Sequence, residues 1–328
     1  MFKKGTVLMV SCWVLVILVV FALSLGHRSA VILRISNFQK NRLKAYCAAK
    51  VGLNRAILEL NNDATSSNYD TLEEKWSDNE KVFKKISVDE RNNDFATVSY
   101  KNQAGEIKFG MQDEESKINI NKVPLGLLSQ LFNDKELERA AELAVLVVQW
   151  REPLPPNPSQ PSEEEKIIKH ESLRVPQELL LILEYFYKNK LEAENAYNKI
   201  KDVSTVYGSG KININTVSRA NLTTLANFIA SADPLGQALA NVPALVEALI
   251  QEREARHGFK DVAEIQVPAG VDSAGLLGGM KSYLTVQSTN FAIDIAGNAA
   301  ATIKEIKAVY ERTDIINGKG KIIYWHEN

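Results

Sequence analysis

The longest apolar run in the chain occupies residues 6–25, which contain no Asp, Glu, Lys, Arg or His. A helix rises about 1.5 Å per residue, so this run reaches about 30 Å, the thickness of a bilayer's hydrocarbon core. It predicts a membrane-crossing helix. Beyond His27 polar residues return, but the helical period persists. Ala45, Ala48, Ala49, Gly52, Leu53, Ala56, Ile57 and Leu60 fall on an i, i+3, i+4, i+7 stripe. Asn61-Asn62-Asp63 predicts the helix stop, with residues 65–68 as loop. One helix over residues 6–60 would be roughly 80 Å long. Its first half would face lipid, and its second half needs a sheet or domain to cover the small-residue stripe.

Alternation of apolar and polar positions predicts strands at residues 82–88, 95–100 and 107–109, and again at 291–296, 301–310 and 322–325. Asn92-Asn93-Asp94, residues 103–106 and residues 315–319 carry turn chemistry. Between the two strand groups the pattern becomes helical. Lys117-Ile118-Asn119-Ile120-Asn121 recurs as Lys211-Ile212-Asn213-Ile214-Asn215, followed at equal offsets by Leu128 and Leu131 or by Leu222 and Leu225. Residues 147–152 are echoed by 249–254, and each copy closes on a β-rich run, 203–207 or 282–286. This predicts two related helical units. An Asn or Thr after each short extended segment is expected to cap the helix that follows. Residues 143–150 and 245–253 are expected to form second helices, and the Pro153–Pro158 stretch cannot be helical. Strands before and after a helical block suggest one sheet with an insertion.

Composition narrows the function classes. The net charge of −1 over 328 residues offers no basic excess for nucleic acid. Cys12 and Cys47 lie about 50 Å apart on the proposed helix, too far for an intrachain disulfide. Cys47, next to Ala48 and Ala49, is expected to be a small packing residue. The four histidines (27, 170, 257 and 326) are scattered. No Ser/His/Asp set, phosphate loop, H-x-x-x-H or C-x-x-C spacing is present, so the chain reads as a non-enzyme with no cofactor.

Lys3 and Lys4, followed by Gly5 and then the apolar run, resemble a type IV prepilin leader. The resemblance implies cleavage by a prepilin peptidase between Gly5 and Thr6, with N-methylation of Thr6. Prepilins usually carry Phe at that position, so Thr6 departs from the pattern. Two alternatives stand beside it: an uncut signal anchor, and a late cleavage site around Ala22, Ser24 and Gly26. Arg28, Arg34, Lys40, Arg42 and Lys44 follow the span, so a positive-inside count favours the wrong end. Placement of the C-terminal bulk outside the cytoplasm rests on the resemblance.

The repeats resemble two families. Arg253 and Gly258-Phe259 fit the end of a helix-hairpin-helix DNA-binding pattern. The hairpin glycines are absent: Asn241-Val242-Pro243 and Lys135-Glu136-Leu137-Glu138 stand in their places, and glutamates repel a phosphate backbone. Along essentially its whole length the chain resembles the type II secretion minor pseudopilin K family (general secretion pathway protein K, GspK). The motifs are Asp113-Glu114-Glu115-Ser116-Lys117-Ile118-Asn119-Ile120-Asn121, Val147-Val148-Gln149-Trp150-Arg151-Glu152, Glu178-Leu179-Leu180, and Lys211 through Thr216.

This resemblance implies an α+β fold: a pilin-like long N-terminal helix packed on a small antiparallel sheet, with an inserted all-helical domain built from two related helical repeats. The expected divisions are a leader (1–5), the transmembrane half of the helix (6–25), its periplasmic half (26–62), the first part of the sheet (63–112), the inserted domain (113–285, repeats 113–208 and 209–285), and the rest of the sheet (286–328). It implies a single-pass protein of the bacterial inner membrane, with its bulk in the periplasm. The expected partners are other minor pseudopilins, the major pseudopilin, the prepilin peptidase and an inner-membrane assembly platform, and no nucleic acid. The expected role is at the tip of a periplasmic pseudopilus, helping to initiate assembly and promote protein export. Most pilins carry Glu at the fifth mature residue, to neutralise a neighbour's terminal amine; here that position is Val10, which fits a subunit with none above it. Some family members bind calcium through acids after the W-R-D segment. Glu152, Glu163, Glu164 and Glu165 are the candidates here, although the acid run after Pro161-Ser162 also fits a solvated helix start. A membrane-anchored DNA-uptake protein and a minor pilin of a type IV pilus are the alternative functions.

Overall fold

The computed structural model describes residues 4–91, 93–102, 105–153, 168–233, 236–267, 273–314 and 318–328. Helix α1 (Lys4–Ser66) runs unbroken for 63 residues. Residues 6–40 are exposed throughout, and burial begins at Ala45. From there Ala45, Ala48, Ala49, Leu53, Ala56, Leu60 and Ala64 line the face that the periodicity predicts. Cys47 lies off that stripe and is exposed, contrary to the packing role expected of it; neither cysteine is bonded.

The helix overruns the expected stop at Asn61 because its polar residues are engaged elsewhere. Asn61 Oδ1 accepts from the Tyr310 hydroxyl at 2.8 Å, and Asp63 pairs with Arg312 at 3.0 Å. Thr65 and Ser66 donate to the carbonyls of Asn62 and Asp63 one turn back. Side chains occupied in this way do not compete for the local backbone.

After α1 come α2 (Glu80–Phe83), β1 (Ile86–Asp89), β2 (Asp94–Val98), β3 (Tyr100–Lys101), β4 (Ile107–Lys108) and β5 (Gln112–Asp113). The start of the first expected strand is helical because Asn79 accepts from the Val82 amide and caps α2. The expected strand at 107–109 forms a small hairpin with β3, apart from the main sheet. Asn92, residues 103–104 and residues 315–317, parts of the expected turns, lie outside the described residues.

The inserted helices fall into two runs. The first is β6 (Ile118–Asn119), α3 (Leu125–Asp134), α4 (Ala140–Arg151), α5 (Glu178–Tyr187), α6 (Lys190–Ile200) and β7 (Ser204–Thr205). The second is β8 (Ile212–Asn213), α7 (Arg219–Ala230), α8 (Gln237–Ala255), α9 (Ala274–Lys281) and β9 (Leu284–Thr285). In each run the first and last strands pair in parallel, β6 with β7 and β8 with β9. The two runs share one apolar core, including Leu128, Leu131 and Phe132 from the first and Leu222, Leu225 and Leu249 from the second.

The chain then returns as β10 (Asn290–Ala299), β11 (Thr302–Asp314) and β12 (Lys319–Glu327). The main sheet is antiparallel in the order β1-β2-β10-β11-β12, with β5 also pairing with β10. One sheet is therefore assembled from strands on both sides of the helical block. Two glycines let α1 lie directly on it. A Cβ on Gly297 of β10 would stand 2.0 Å from the Ala45 carbonyl, and one on Gly52 would stand 2.8 Å from Ile295. The result is a mixed α+β fold of long helix, antiparallel sheet and further helices.

Candidate assembly site

The first part of the site is the exposed half of α1. Lys4 and Gly5 open the helix, and Lys3 lies outside the described residues. Thr6 and Val10 are exposed. No acid occurs in the chain before Glu59, so the span offers no carboxylate to a neighbouring subunit. Among the described residues α1 is the one helix long and apolar enough to cross a membrane.

The second part is the junction of α1, the sheet and the helical insertion, built around Asp113-Glu114-Glu115. Asp113 Oδ2 accepts from the Ser288 hydroxyl at 2.7 Å and from the Thr216 hydroxyl; its Oδ1 accepts from the Glu115 amide at 2.8 Å. Glu115 accepts from the Thr289 hydroxyl at 2.7 Å and from the Asn290 amide at 3.0 Å. Glu114 binds Lys117 Nζ at 2.7 Å and the Thr205 hydroxyl. Asp113 and Glu115 thus tie the strand entering the insertion to the segment leaving it, and Glu114 ties it to the first repeat.

Arg312 of β11 holds the end of α1 to the same junction. It donates to Asp70 at 2.6 Å, to Asp63 at 3.0 Å and to the Leu60 carbonyl at 3.0 Å. Its guanidinium also stacks 4.4 Å from the Phe291 ring centre. Asp63 lies in the final turn of α1 and Leu60 in the turn before it, so these bonds hold the end of the helix. Asp70 further accepts from the Ser288 amide at 2.7 Å. Burial pushes several of these acids upward: Asp63 to about 7, Asp113 to about 6 and Glu115 to about 8. Burial also raises Glu74, against bonds from Thr71 and Trp76 that favour its charged form. Neighbouring acids add to the effect: Glu74 and Asp70 on Asp63, Asp70 on Asp113, and Asp113 on Glu115.

The repeated motif has a structural meaning that its sequence did not reveal. In each copy the first Asn accepts from the amide of the second: Asn119 from Asn121 at 2.9 Å, Asn213 from Asn215 at 3.0 Å. The second Asn makes a reciprocal pair with a distant backbone. Asn121 donates to the Leu173 carbonyl and accepts from the Leu173 amide; Asn215 does the same with Phe259. These side chains therefore do not cap the helices, as had been expected. No side chain caps α3, and Ser218 caps α7.

Arg151 and Arg253 complete the two copies. Arg151 donates to the carbonyls of Ile120 and Val123, and Arg253 to those of Ile214 and Val217. Each arginine serves the same positions of its own repeat. Burial lowers the pKa of both. These guanidinia bind carbonyls of their own repeats. The place of the DNA-binding hairpin is also filled differently, because Asn241-Val242-Pro243 lies within α8.

Of the calcium candidates, Glu163, Glu164 and Glu165 lie outside the described residues. Glu152 is exposed and, among the described residues, joins no group of metal-ligating side chains. The group with ligand spacing is Asp63, Asp70 and Glu74, whose carboxylate oxygens lie within 4.8 Å of one another. Arg312 already places its positive charge against two of these, which does not suit a resident metal ion.

No family model matches the chain, and no curated protein matches it in sequence. Among solved structures it is similar to a chain of the crystal structure of the GspK-GspI-GspJ complex from the type 2 secretion system of enterotoxigenic Escherichia coli. The TM-score is 0.63 at 14% sequence identity, over 89% of this chain and 99% of that one. The chain therefore has the fold found in that secretion-system complex, as the motif resemblance implied.

Proposed function

We propose that this chain is a GspK-like minor pseudopilin at the tip of the periplasmic pseudopilus of a type II secretion system, where it helps initiate assembly and promotes export. The observation that carries this reading is α1 and its seat. Its apolar, acid-free half stands exposed, and its small-residue half is pressed onto a sheet interrupted by a helical insertion. In this reading residues 1–5 are a leader cut between Gly5 and Thr6, and residues 6–25 cross the inner membrane once. Residues 26–62 and the remainder lie in the periplasm, with 113–285 as the inserted domain. Val10 suits the tip because a subunit with none above it has no terminal amine to neutralise, and an unpaired carboxylate in the bilayer is costly. The solved relative is in complex with GspI and GspJ, which supports other minor pseudopilins as partners. A major pseudopilin, a prepilin peptidase and an assembly platform complete the set. The role is structural, with no reaction and no cofactor. The inward use of Arg151 and Arg253 speaks against the DNA-binding alternative.

Mass spectrometry of the N-terminus, with and without a prepilin peptidase, tests the reading. An N-methylated Thr6 in the presence of the peptidase is the expected result. An intact Met1, or a cut near Gly26, refutes pilin-type processing. Val10→Glu tests the tip argument separately: the added acid is expected to impair assembly, and unchanged assembly and secretion would sink that argument.

A further inference from the structure

The first cations beyond the apolar run of α1 have no ion-pair partner among the described residues. Arg28 and Arg34 are exposed, and among the described residues neither makes an ion pair. No acid precedes Glu59 on this helix. The distances place these two side chains beside a membrane. Residues 6–25 fill a hydrocarbon core of about 30 Å, and the headgroup layer adds about 5–7 Å on each side. Arg28 lies about 4 Å beyond Leu25 along the axis, within that layer, and Arg34 lies about 13 Å beyond it. Helical side chains lean toward the N-terminus, and here that direction is back toward the bilayer. Arg34 therefore lies within a screening length of about 8–10 Å of the headgroup layer. Lys40 and Arg42, also exposed and without an ion pair among the described residues, stand roughly 22–26 Å beyond Leu25. That is more than a screening length of about 8–10 Å outside the headgroups.

We propose that Arg28 and Arg34, on different faces of α1, each dock anionic phospholipid headgroups in the leaflet where α1 leaves the membrane. Arginine suits phosphate because its planar fork donates two parallel hydrogen bonds. The site accounts for a cation excess on the side of the span where the positive-inside count does not expect it. The proposal rests on the membrane-crossing reading of residues 6–25.

The test uses the full chain in nanodiscs containing equal parts phosphatidylcholine and phosphatidylglycerol. Lipids retained on the protein are counted by native mass spectrometry, and resistance to carbonate extraction from membranes is measured in parallel. Wild type is expected to retain phosphatidylglycerol preferentially. Each basic residue near an anionic surface contributes roughly fivefold, so Arg28→Gln with Arg34→Gln is expected to lower that preference by about 25-fold. Lys40→Gln with Arg42→Gln is expected to leave it unchanged, and all three chains should resist extraction. A wild type without preference overturns the proposal. So does an equal loss in both double variants, which would show a diffuse attraction of the whole basic segment and no site at Arg28 and Arg34. Extraction of wild type by carbonate overturns the membrane reading itself, and the proposal with it.

Discussion

Arg312→Met is the most informative perturbation of the junction. Arg312 is almost wholly buried, its side chain 1% exposed, and it is the cation shared by Asp63 and Asp70. Methionine keeps much of the volume and removes the charge and every donor. Removing one partner of a buried ion pair costs about 3–5 kcal/mol, because the other is left buried and uncompensated. The Leu60 carbonyl loses a second donor as well. The loss should depend on pH. Asp63 titrates at about 7 in the folded chain, and Arg312 is among the influences that hold that value down. Without the arginine Asp63 takes up a proton more readily, and neutralisation relieves the unpaired charge. The destabilisation is therefore largest at pH 8–9 and shrinks toward pH 5. Thermal unfolding of the full chain in detergent, followed by tryptophan fluorescence, reads this directly. A loss of 3–5 kcal/mol is expected to lower Tm by roughly 6–20 °C at high pH. A drop no larger than that of a surface substitution, or an equal drop at pH 5 and pH 9, would refute the reasoning.

The wild-type pH profile should run opposite to ordinary acid denaturation. Asp63, Asp113 and Glu115 are raised above their unfolded values to about 7, 6 and 8, so the folded chain binds more protons between about pH 4 and 8. Their contribution to stability is present at low pH and lost as pH rises through the folded values; Tm should fall from pH 5 to pH 9. Asp113→Asn should flatten that slope and cost stability through the bonds to Thr216 and Ser288, an outcome visible in the same scan. Gly297→Val places a side chain where a Cβ would meet the Ala45 carbonyl at 2.0 Å, and should prise α1 from β10. It is expected to cost at least about 1–3 kcal/mol and to speed proteolysis of residues 45–60. Arg253→Ala leaves two carbonyls without a charged donor, each worth about 1.5–3 kcal/mol. It should lower Tm while leaving filter retention of DNA at background, whereas a loss of measurable DNA binding would revive the nucleic-acid reading.

The parts of the fold legible in the sequence were those set by period. The apolar run and the Ala-rich stripe of α1, and the alternating strands at 291–310, report burial that one element carries by itself. The helix end at Asn61 misled because its polar residues answer to Tyr310 and Arg312, about 250 positions along the chain. Val82 was read as strand because its side-chain pattern alternates, while the deciding bond comes from Asn79, outside that pattern. The repeated K-I-N-I-N stood out as a motif, but helix capping was the wrong use for its second Asn. A reciprocal pair with a remote backbone leaves no local trace, and the partners, Leu173 and Phe259, are not even alike. Arg151 and Arg253 were flagged through motifs, yet only their carbonyl partners distinguish a structural clasp from a phosphate contact.

Why acids cluster at the junction follows from topology. An insertion leaves and re-enters a sheet at two points that are close in space and distant in sequence, here Asp113 on β5 and the segment 286–289 before β10. A sheet hydrogen bond holds the two strands but does not fix the direction in which the inserted domain leaves them. Asp113 accepts from both sides of the gap, from Ser288 on the returning segment and Thr216 in the second repeat, while Glu114 reaches Thr205 in the first. Neutral side chains would offer fewer acceptor sites per residue than a carboxylate, which accepts on both oxygens. The electrostatic penalty of burying these acids is the counterpart of that geometry, and Arg312 and Lys117 offset part of it. Through Arg312 the same network grips the last turn of α1. The direction of the inserted domain is thereby set against the axis of α1, and under the proposed tip reading this would hold the bulk of the subunit over the filament end.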